Sequence, residues 1–329
     1  MPSIKYGGKH YRQQKGESVL ATLLRQNVDI PYSCEVGACH TCLMRRTDGE
    51  VPESAQPGLK STLKQQHYFL ACQFIPDEDI QVAHADDEDV SSHATVTSID
   101  YLGEDICRVR LDPATPLYYH AGQYINLKRN DDLIRSYSLA SVPRLDQQLE
   151  LHVKLMDNGQ MSNWIYNELR VGDHVDIQGP YGDCFYVQDN AEQDLLFVGT
   201  GTGLAPLMGI ARDALDNNHS GNIYLYHGSR NLPGLYMHNE LKQLAEANNR
   251  FHYIPCLSGD GQITSVRHQR ANEAAFADFT DLKDMKIYLC GHPEMVKQAK
   301  MSAYLNGADI GNIFVDAFEM KNLRQQPRD

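Results

Sequence analysis

The sequence predicts a multidomain chain of three units: an α+β unit, then an antiparallel β-barrel, then an α/β unit on a doubly wound parallel sheet. Three observations predict it. Cys34, Cys39 and Cys42 stand at C-x4-C-x2-C on one loop, with Cys72 arriving much later. From Ala94 to about Tyr186, short runs rich in Val, Ile, Leu and Tyr alternate with turn residues, the texture of a small antiparallel barrel. From Asp194 the texture becomes strand–helix alternation, which builds a parallel sheet covered on both faces. A chain of 329 residues has room for these units at about 150 residues per domain.

Hydrophobic content is 42% and charged content 22%, ordinary for a soluble globular chain. The formal charge of -13 argues against nucleic acid or an anionic membrane as partner, and is compatible with docking onto a basic patch of another protein. No apolar run approaches the roughly 18 residues of a membrane span. The opening Met-Pro-Ser-Ile-Lys-Tyr has no apolar secretory region. Cys107, Cys184, Cys256 and Cys290 are scattered, a pattern that suits a reducing cytoplasm, and the expected location is cytoplasmic.

The first unit is expected over residues 1–84. Ser3 to Gln14 reads as two short strands around Gly7-Gly8. Glu17 or Ser18 caps a helix through Gln26, with Val19, Leu20, Leu23 and Leu24 on one face. The cysteine loop comes next, then a strand at Leu43–Arg46, a turn at Asp48-Gly49, a loop from Pro52 to Gly58, and a closing strand at Ile80-Gln81-Val82. Cys34, Cys39, Cys42 and Cys72 are the candidate metal ligands, because thiolates are soft donors for iron or zinc. Zinc usually takes paired C-x2-C knuckles and only one is present; disulfides are the other alternative. The spacing and element order resemble the plant-type ferredoxins, which have the β-grasp fold. That resemblance implies a 2Fe–2S cluster on the four thiolates. Such a cluster moves one electron at a time, so the rest of the chain must feed or drain it. His40 stands where that family usually has a small residue. It either hydrogen-bonds near a sulfide or sits on the outer rim of the loop.

Residues 85–93, rich in Asp and Ser, read as a polar connection, and the barrel is expected over 94–190. Its strands are placed at Thr95–Ile99, Ile106–Leu111, Gln123–Leu127, Ser136–Ala140, Leu149–Leu155 and His174–Gln178, with one helix at Met161–Asn167 and a closing turn at Gly179-Pro180-Tyr181-Gly182. Arg135-Ser136-Tyr137-Ser138 puts Arg135 and Tyr137 on one face of a regular strand and the serines on the other. An arginine fork can grip a pyrophosphate and a tyrosine offers an aromatic face. An ordinary half-polar strand looks the same, so the motif gains its weight from two segments further along the chain. Leu151-His152-Val153-Lys154 is another strand, and Gly159-Gln160-Met161-Ser162 opens a helix whose free amides can receive an anion.

Together these segments resemble the ferredoxin–NADP reductase superfamily. The resemblance implies that Arg135 binds the FAD pyrophosphate, Tyr137 packs on the isoalloxazine and Ser138 sits near its N5. His152, Val153, Lys154 and Gly159 then belong to the flavin site, with Met161 and Ser162 capping a phosphate.

The third unit is expected over 191–318, with a polar tail at 319–329. Strands are placed at Leu195–Val198, Ile223–His227, Phe251–Cys256, Lys286–Cys290 and Ile313–Val315, and helices at Ala205–Asp216, Met237–Asn248, Asn272–Ala277 and Pro293–Leu305. Gly199-Thr200-Gly201-Thr202-Gly203 lets backbone approach a pyrophosphate, and Pro206 suits a first helical turn. The segment lacks the Gly-Lys-Ser/Thr of a P-loop, and Leu204 breaks G-x-G-x-x-G. It is either a tight strand–helix turn or, as it resembles, the nicotinamide-binding segment of the same superfamily. Cys290-Gly291 ends the fourth strand, at the edge that lines the crevice in such sheets. A buried cysteine is commonly a small core residue, while the resemblance places this thiol beside the nicotinamide. Cys290, Ser138 and Phe318 are the catalytic candidates. Phe318 either meets the flavin or nicotinamide or closes the core. Arg230, after the second strand, can stack on adenine or meet a 2′-phosphate.

The order ferredoxin, FAD barrel, nicotinamide unit resembles the reductase components of bacterial multicomponent oxygenases and related deoxysugar reductases. It implies NAD(P)H oxidation, NADH favoured, with electrons passing through FAD to the cluster and on to a redox partner protein, a terminal oxygenase or hydroxylase. A deoxysugar dehydrase is the alternative acceptor, and redox sensing by the cluster is a third reading. The sequence offers no convincing acid–base pair or nucleophile.

Overall fold

The computed structural model describes residues 2–84, 91–130, 133–259 and 265–318. The chain divides into two compact units between Val90 and Ser91. Residues 85–90 of the expected connection and the tail at 319–329 lie outside the described residues. Residues 91–93, also expected in the connection, instead begin a strand, because their backbone pairs with Asp176–Gln178.

In the first unit, β1 (Ser3–Tyr6) turns through Gly7 and Gly8, at φ +55 and +75, into β2 (Lys9–Arg12). α1 (Val19–Arg25) starts at Ser18, whose hydroxyl accepts from Ala21 N–H at 3.1 Å. Ser18 is therefore the cap, and Glu17 is held by Arg25 at 2.7 Å. β3 (Leu43–Arg46), the short α2 (Ser61–Gln65), β4 (Tyr68–Leu70) and β5 (Ile80–His84) complete a five-stranded sheet in the order β2-β1-β5-β3-β4. β1 and β5 run parallel and the other pairs antiparallel, the mixed arrangement of a β-grasp unit. Val19, Leu20 and Leu23 press onto Ile4, Met44, Phe69 and Ile80. β4 has no counterpart among the expected elements. Its three residues are too few to show an alternating pattern.

In the second unit, β6 (Ser91–Tyr101), β7 (Ile106–Pro113), β8 (Tyr124–Asn130), β9 (Leu133–Ser138), β10 (Leu149–Lys154) and β11 (His174–Tyr181) form one antiparallel sheet, ordered β10-β7-β6-β11-β8-β9. A bridge between Leu139 and Leu151 joins its ends into a barrel. α3 (Gln160–Asn167) plugs the barrel with Met161 and Ile165. The turn expected at Gly179–Gly182 is instead mostly strand, since β11 continues through a register shift between Gln178 and Tyr181.

The remaining residues fold as β12 (Leu195–Thr200), α4 (Leu204–Asp216), β13 (Ile223–Ser229), α5 (His238–Ala247), β14 (Phe251–Leu257), α6 (Ala271–Asp278), β15 (Lys286–Gly291), α7 (Pro293–Leu305) and β16 (Ile313–Ala317). The strands form a wholly parallel sheet ordered β14-β13-β12-β15-β16, with an apolar core on each face. Strand order reverses beside β12, so the crevice opens where the glycine turn sits. Met237 adopts φ +56, which is why α5 starts one residue later than expected.

α4 lies against the barrel. A Cβ on Gly209 would come 3.1 Å from the Leu139 and Ala140 carbonyls, and one on Gly122 would reach Ile210 at 2.6 Å. Arg212 grips Asp146 with both Nη atoms at 2.8 Å. Inside the lobe, a Cβ on Gly203 would overlap the Cys290 carbonyl, so β12's turn crosses β15 backbone to backbone. Gly203→Ala should therefore destabilise the fold by roughly 1–3 kcal/mol. Thermal unfolding reads this, and an unchanged midpoint would contradict the crossing.

Candidate functional site

The cysteine loop of the first unit is wound by left-handed residues, with Glu35, Gly37 and His40 at φ +56, +81 and +57. A Cβ on Gly37 would come 3.0 Å from Gln73 and 3.2 Å from Pro57. The winding turns amides onto sulfur. Ala38 and Cys39 N–H donate to Cys34 Sγ at 3.3 Å each, and Cys34 N–H donates to Cys39 Sγ at 3.4 Å. Gln73 reaches Cys72 Sγ and the Glu35 carbonyl, both at 3.4 Å. The thiols fall into two pairs, Cys34 with Cys39 and Cys42 with Cys72. A hydrogen bond from the Thr41 hydroxyl, with backbone amides, draws Cys39 down to about 6, whereas burial pushes Cys42 up to about 11. Among the described residues, no three His, Cys, Asp or Glu side chains converge as a single metal ion would require. Two thiol pairs fit a centre with two irons, each taking two thiolates. His40 is exposed on the rim, and a Cβ on Gly58 would come 3.3 Å from its ring.

In the second unit a cleft of about 1630 Å³ lies between barrel and parallel sheet. β9 gives it Arg135, Ser136, Tyr137 and Ser138, β10 gives His152 and Lys154, and the start of α3 gives Gly159, Met161 and Ser162. The opposite wall carries Thr200, Gly201, Thr202, Arg230, Asp316 and Phe318. Gly201, at φ +56, has nothing within 4 Å of a notional Cβ, so its backbone faces open space. The amides at the start of α3 have no side-chain cap, a setting suited to phosphate. Arg135 is half-buried, and its Nη1 donates to the Ile134 carbonyl at 2.7 Å. Lys154 pairs with Asp105 at 3.1 Å, which reduces its pull on an anion. The residues present therefore fit a flavin dinucleotide on the barrel wall and a nicotinamide dinucleotide on the other.

Some expected positions lie off the cleft wall. Val153 points into the barrel core, since alternate residues of a strand face opposite ways. Gly199, Gly203 and Gly291 serve as close-packing positions: a Cβ on Gly199 would meet Leu207 at 2.7 Å, and one on Gly291 would overlap the Thr200 carbonyl. The Cys290 thiol is fully buried and faces Cys184 Sγ at 3.9 Å, so its side chain is a core group. Met161 also buries its side chain in the barrel core. The Ser162 hydroxyl is spent locally, accepting from Met156 N–H at 3.1 Å and donating to the Gly159 carbonyl at 3.2 Å. Phe318 lines the cleft, and its N–H donates to the Gly291 carbonyl at 2.9 Å.

Two polar partners were not singled out from sequence. Asp316 accepts from the Ser138 hydroxyl at 2.6 Å, and burial pushes its carboxyl up to about 6. Tyr236 meets His152 Nδ1 at 3.0 Å. Neither pairing has a local signature, because each joins residues far apart in sequence.

The fold and cleft define a class, an oxidoreductase that couples a nicotinamide nucleotide, a flavin and an iron–sulfur unit. Three domain families match in order: the 2Fe-2S iron-sulfur cluster binding domain at 5–77, the oxidoreductase FAD-binding domain at 93–186 and the oxidoreductase NAD-binding domain at 197–301. The chain is 32% identical to the ferredoxin–NAD(P)(+) reductase component of the naphthalene 1,2-dioxygenase/salicylate 5-hydroxylase systems of a Ralstonia species, over 94% of this chain and 95% of that one. It is 30% identical to a CDP-6-deoxy-L-threo-D-glycero-4-hexulose-3-dehydrase reductase of Yersinia pestis, over 92% and 93%. The crystal structure of the Amycolatopsis cytochrome P450 reductase GcoB superposes with a TM-score of 0.68 at 31% identity, covering 97% of this chain and 99% of that one. The chain belongs to the family of ferredoxin–NAD(P)H reductase components. It is a flavin- and iron–sulfur-dependent NAD(P)H oxidoreductase. Among the described residues, no helix is long and apolar enough to cross a membrane.

The Asp316 carboxyl has a pH consequence. Its folded value of about 6 exceeds the ordinary 3.8, so the folded protein keeps a proton that the unfolded chain has released. The stability it contributes is complete below about pH 4 and is lost as pH rises through about 6. Asp316→Asn should flatten that decline. Denaturant midpoints measured across this range check it, and identical slopes in the two proteins would contradict the assignment.

Proposed function

We propose that the chain is the NADH-oxidising reductase component of a terminal oxygenase or hydroxylase. It holds FAD on the barrel wall and a 2Fe–2S cluster on Cys34, Cys39, Cys42 and Cys72. FAD, when bound, would supply the conversion of a two-electron hydride donor into single electrons for the cluster. The protein's part is to bind and orient. Arg135 grips the pyrophosphate and Tyr137 packs against the ring. Gly159 and the amides at Met161 and Ser162 receive a phosphate, with Lys154 beside them. The Thr200–Thr202 backbone meets the pyrophosphate of the nicotinamide nucleotide. Ser138, its hydroxyl fixed by Asp316, is held where flavin and nicotinamide would meet. Cys290 acts through its backbone, which supports the glycine turn. Phe318 covers the meeting point.

The cluster unit corresponds to residues 1–84, the flavin barrel extends to about residue 190, and the nucleotide lobe runs from 191 to 318. Arg230 stacks on adenine. NADH is the favoured donor, with NADPH as the alternative that Arg230 would serve by meeting a 2′-phosphate. The observation that carries the proposal is the single cleft bearing both dinucleotide walls, in a chain whose other unit presents two thiol pairs. The Yersinia relative supports a second reading, with a deoxysugar dehydrase as acceptor.

Cys72→Ser tests the electron order. It should abolish NADH-driven reduction of cytochrome c while sparing reduction of a dye that draws directly on the flavin. Equal loss of both activities would refute it.

A further inference from the structure

A hydrogen-bond chain, buried at its His152–Tyr236 end, crosses from the barrel to the nucleotide lobe. Glu150 and His152 are two residues apart on β10, so their side chains share a face. Arg110 Nε donates to Glu150 Oε2 at 3.0 Å, and Glu150 Oε1 lies 3.0 Å from His152 Nε2. His152 Nδ1 lies 3.0 Å from the Tyr236 hydroxyl. A carboxylate can only accept, so Nε2 carries the ring proton toward Glu150. In the neutral ring, Nδ1 then accepts from the tyrosine. His152 is 4% exposed and Tyr236 3%, and their rings meet edge to face at 5.4 Å.

Tyr236 lies just before Met237 at the end of the connection between β13 and α5. This connection also carries Arg230, Asn231, Pro233 and Gly234, all on the cleft wall. Within the lobe, Asn231 accepts from Gly234 N–H at 3.1 Å and Gly259 N–H donates to the Arg230 carbonyl at 3.0 Å, while toward the barrel a Cβ on Gly103 would stand 3.7 Å from the Pro233 carbonyl. The tyrosine hydroxyl ties the same connection to the flavin wall.

We propose that His152 and Tyr236 are positioning residues for hydride transfer. Through Glu150 and Arg110 they fix the nucleotide-binding connection against the barrel, and with it the separation of nicotinamide and flavin. The inference rests on the dinucleotide reading of the cleft. Transfer between two bound rings is sensitive to small misplacements, so a lost tether should act on the transfer step as well as on affinity.

Tyr236→Phe keeps the ring and removes the hydroxyl. In the FAD-loaded full chain, amide hydrogen exchange over Ser229–Met237 should rise. The NADH dissociation constant should rise about five-fold, the scale of one buried hydrogen bond, and the limiting rate of flavin reduction should fall. The double variant His152→Phe/Tyr236→Phe removes both members of the buried bond, and Glu150, which is partly exposed, keeps Arg110 at 3.0 Å. Its melting temperature should recover toward wild type while exchange over the connection stays raised. Wild-type exchange and reduction rate in Tyr236→Phe would overturn the proposal. So would a double variant in which exchange recovers together with stability. A wild-type protein that binds no NADH would overturn the dinucleotide reading itself, a result distinct from either.

Discussion

The functional cleft depends on α4 lying against the barrel with bare backbone at the contact. A Cβ on Gly122 would come within 2.6 Å of Ile210, nearer than a side chain allows, and one on Gly209 would make a tight 3.1 Å contact with the Ala140 carbonyl. The Arg212–Asp146 pair and the Arg144–Asp213 pair at 2.9 Å fasten the rim. These ions are partly exposed, so their worth lies more in orientation than in stability. Ser138–Asp316 and His152–Tyr236 then cross the buried part of the same junction. Barrel and parallel sheet thus form one body, and two ligands that must react can be held at fixed separation.

The chemistry divides along the chain as the side chains do. The cleft holds serine, threonine, arginine and backbone amides that orient phosphates and rings, with His152, Lys154 and Asp316 engaged by Tyr236, Asp105 and Ser138. The first unit holds three thiols on an amide-lined loop and a fourth, Cys72, after β4, soft donors suited to iron and not to work on an organic substrate. In such a division of labour the protein binds and orients, and the bound groups carry the electrons.

The architecture was legible because each unit has its own periodicity. Cysteine spacing marked the first, short alternating strands the barrel, and apolar strands between helices the lobe. Strand ends were drawn short wherever they finish in polar or glycine residues, as at Ser229 and Gly291. The bulged end of β11 read as a turn because Gly-Pro ordinarily breaks a ladder. Within the site, the Arg135-Ser136-Tyr137-Ser138 strand is a weak signal alone and draws its weight from the segments at 151–154 and 159–162, while the four cysteines stand out by spacing. The family resemblance places the Cys290 thiol beside the nicotinamide, whereas the fold turns it toward Cys184. Asp316 and Tyr236 could not be read at all, since their partners lie on the other side of the junction.

The most direct test is anaerobic titration of the protein carrying both cofactors with NADH, monitored by visible absorbance and electron paramagnetic resonance. The account predicts that the flavin bleaches and that a paramagnetic reduced cluster then develops. Bleaching with no such signal, in protein shown to contain an intact cluster, would contradict it.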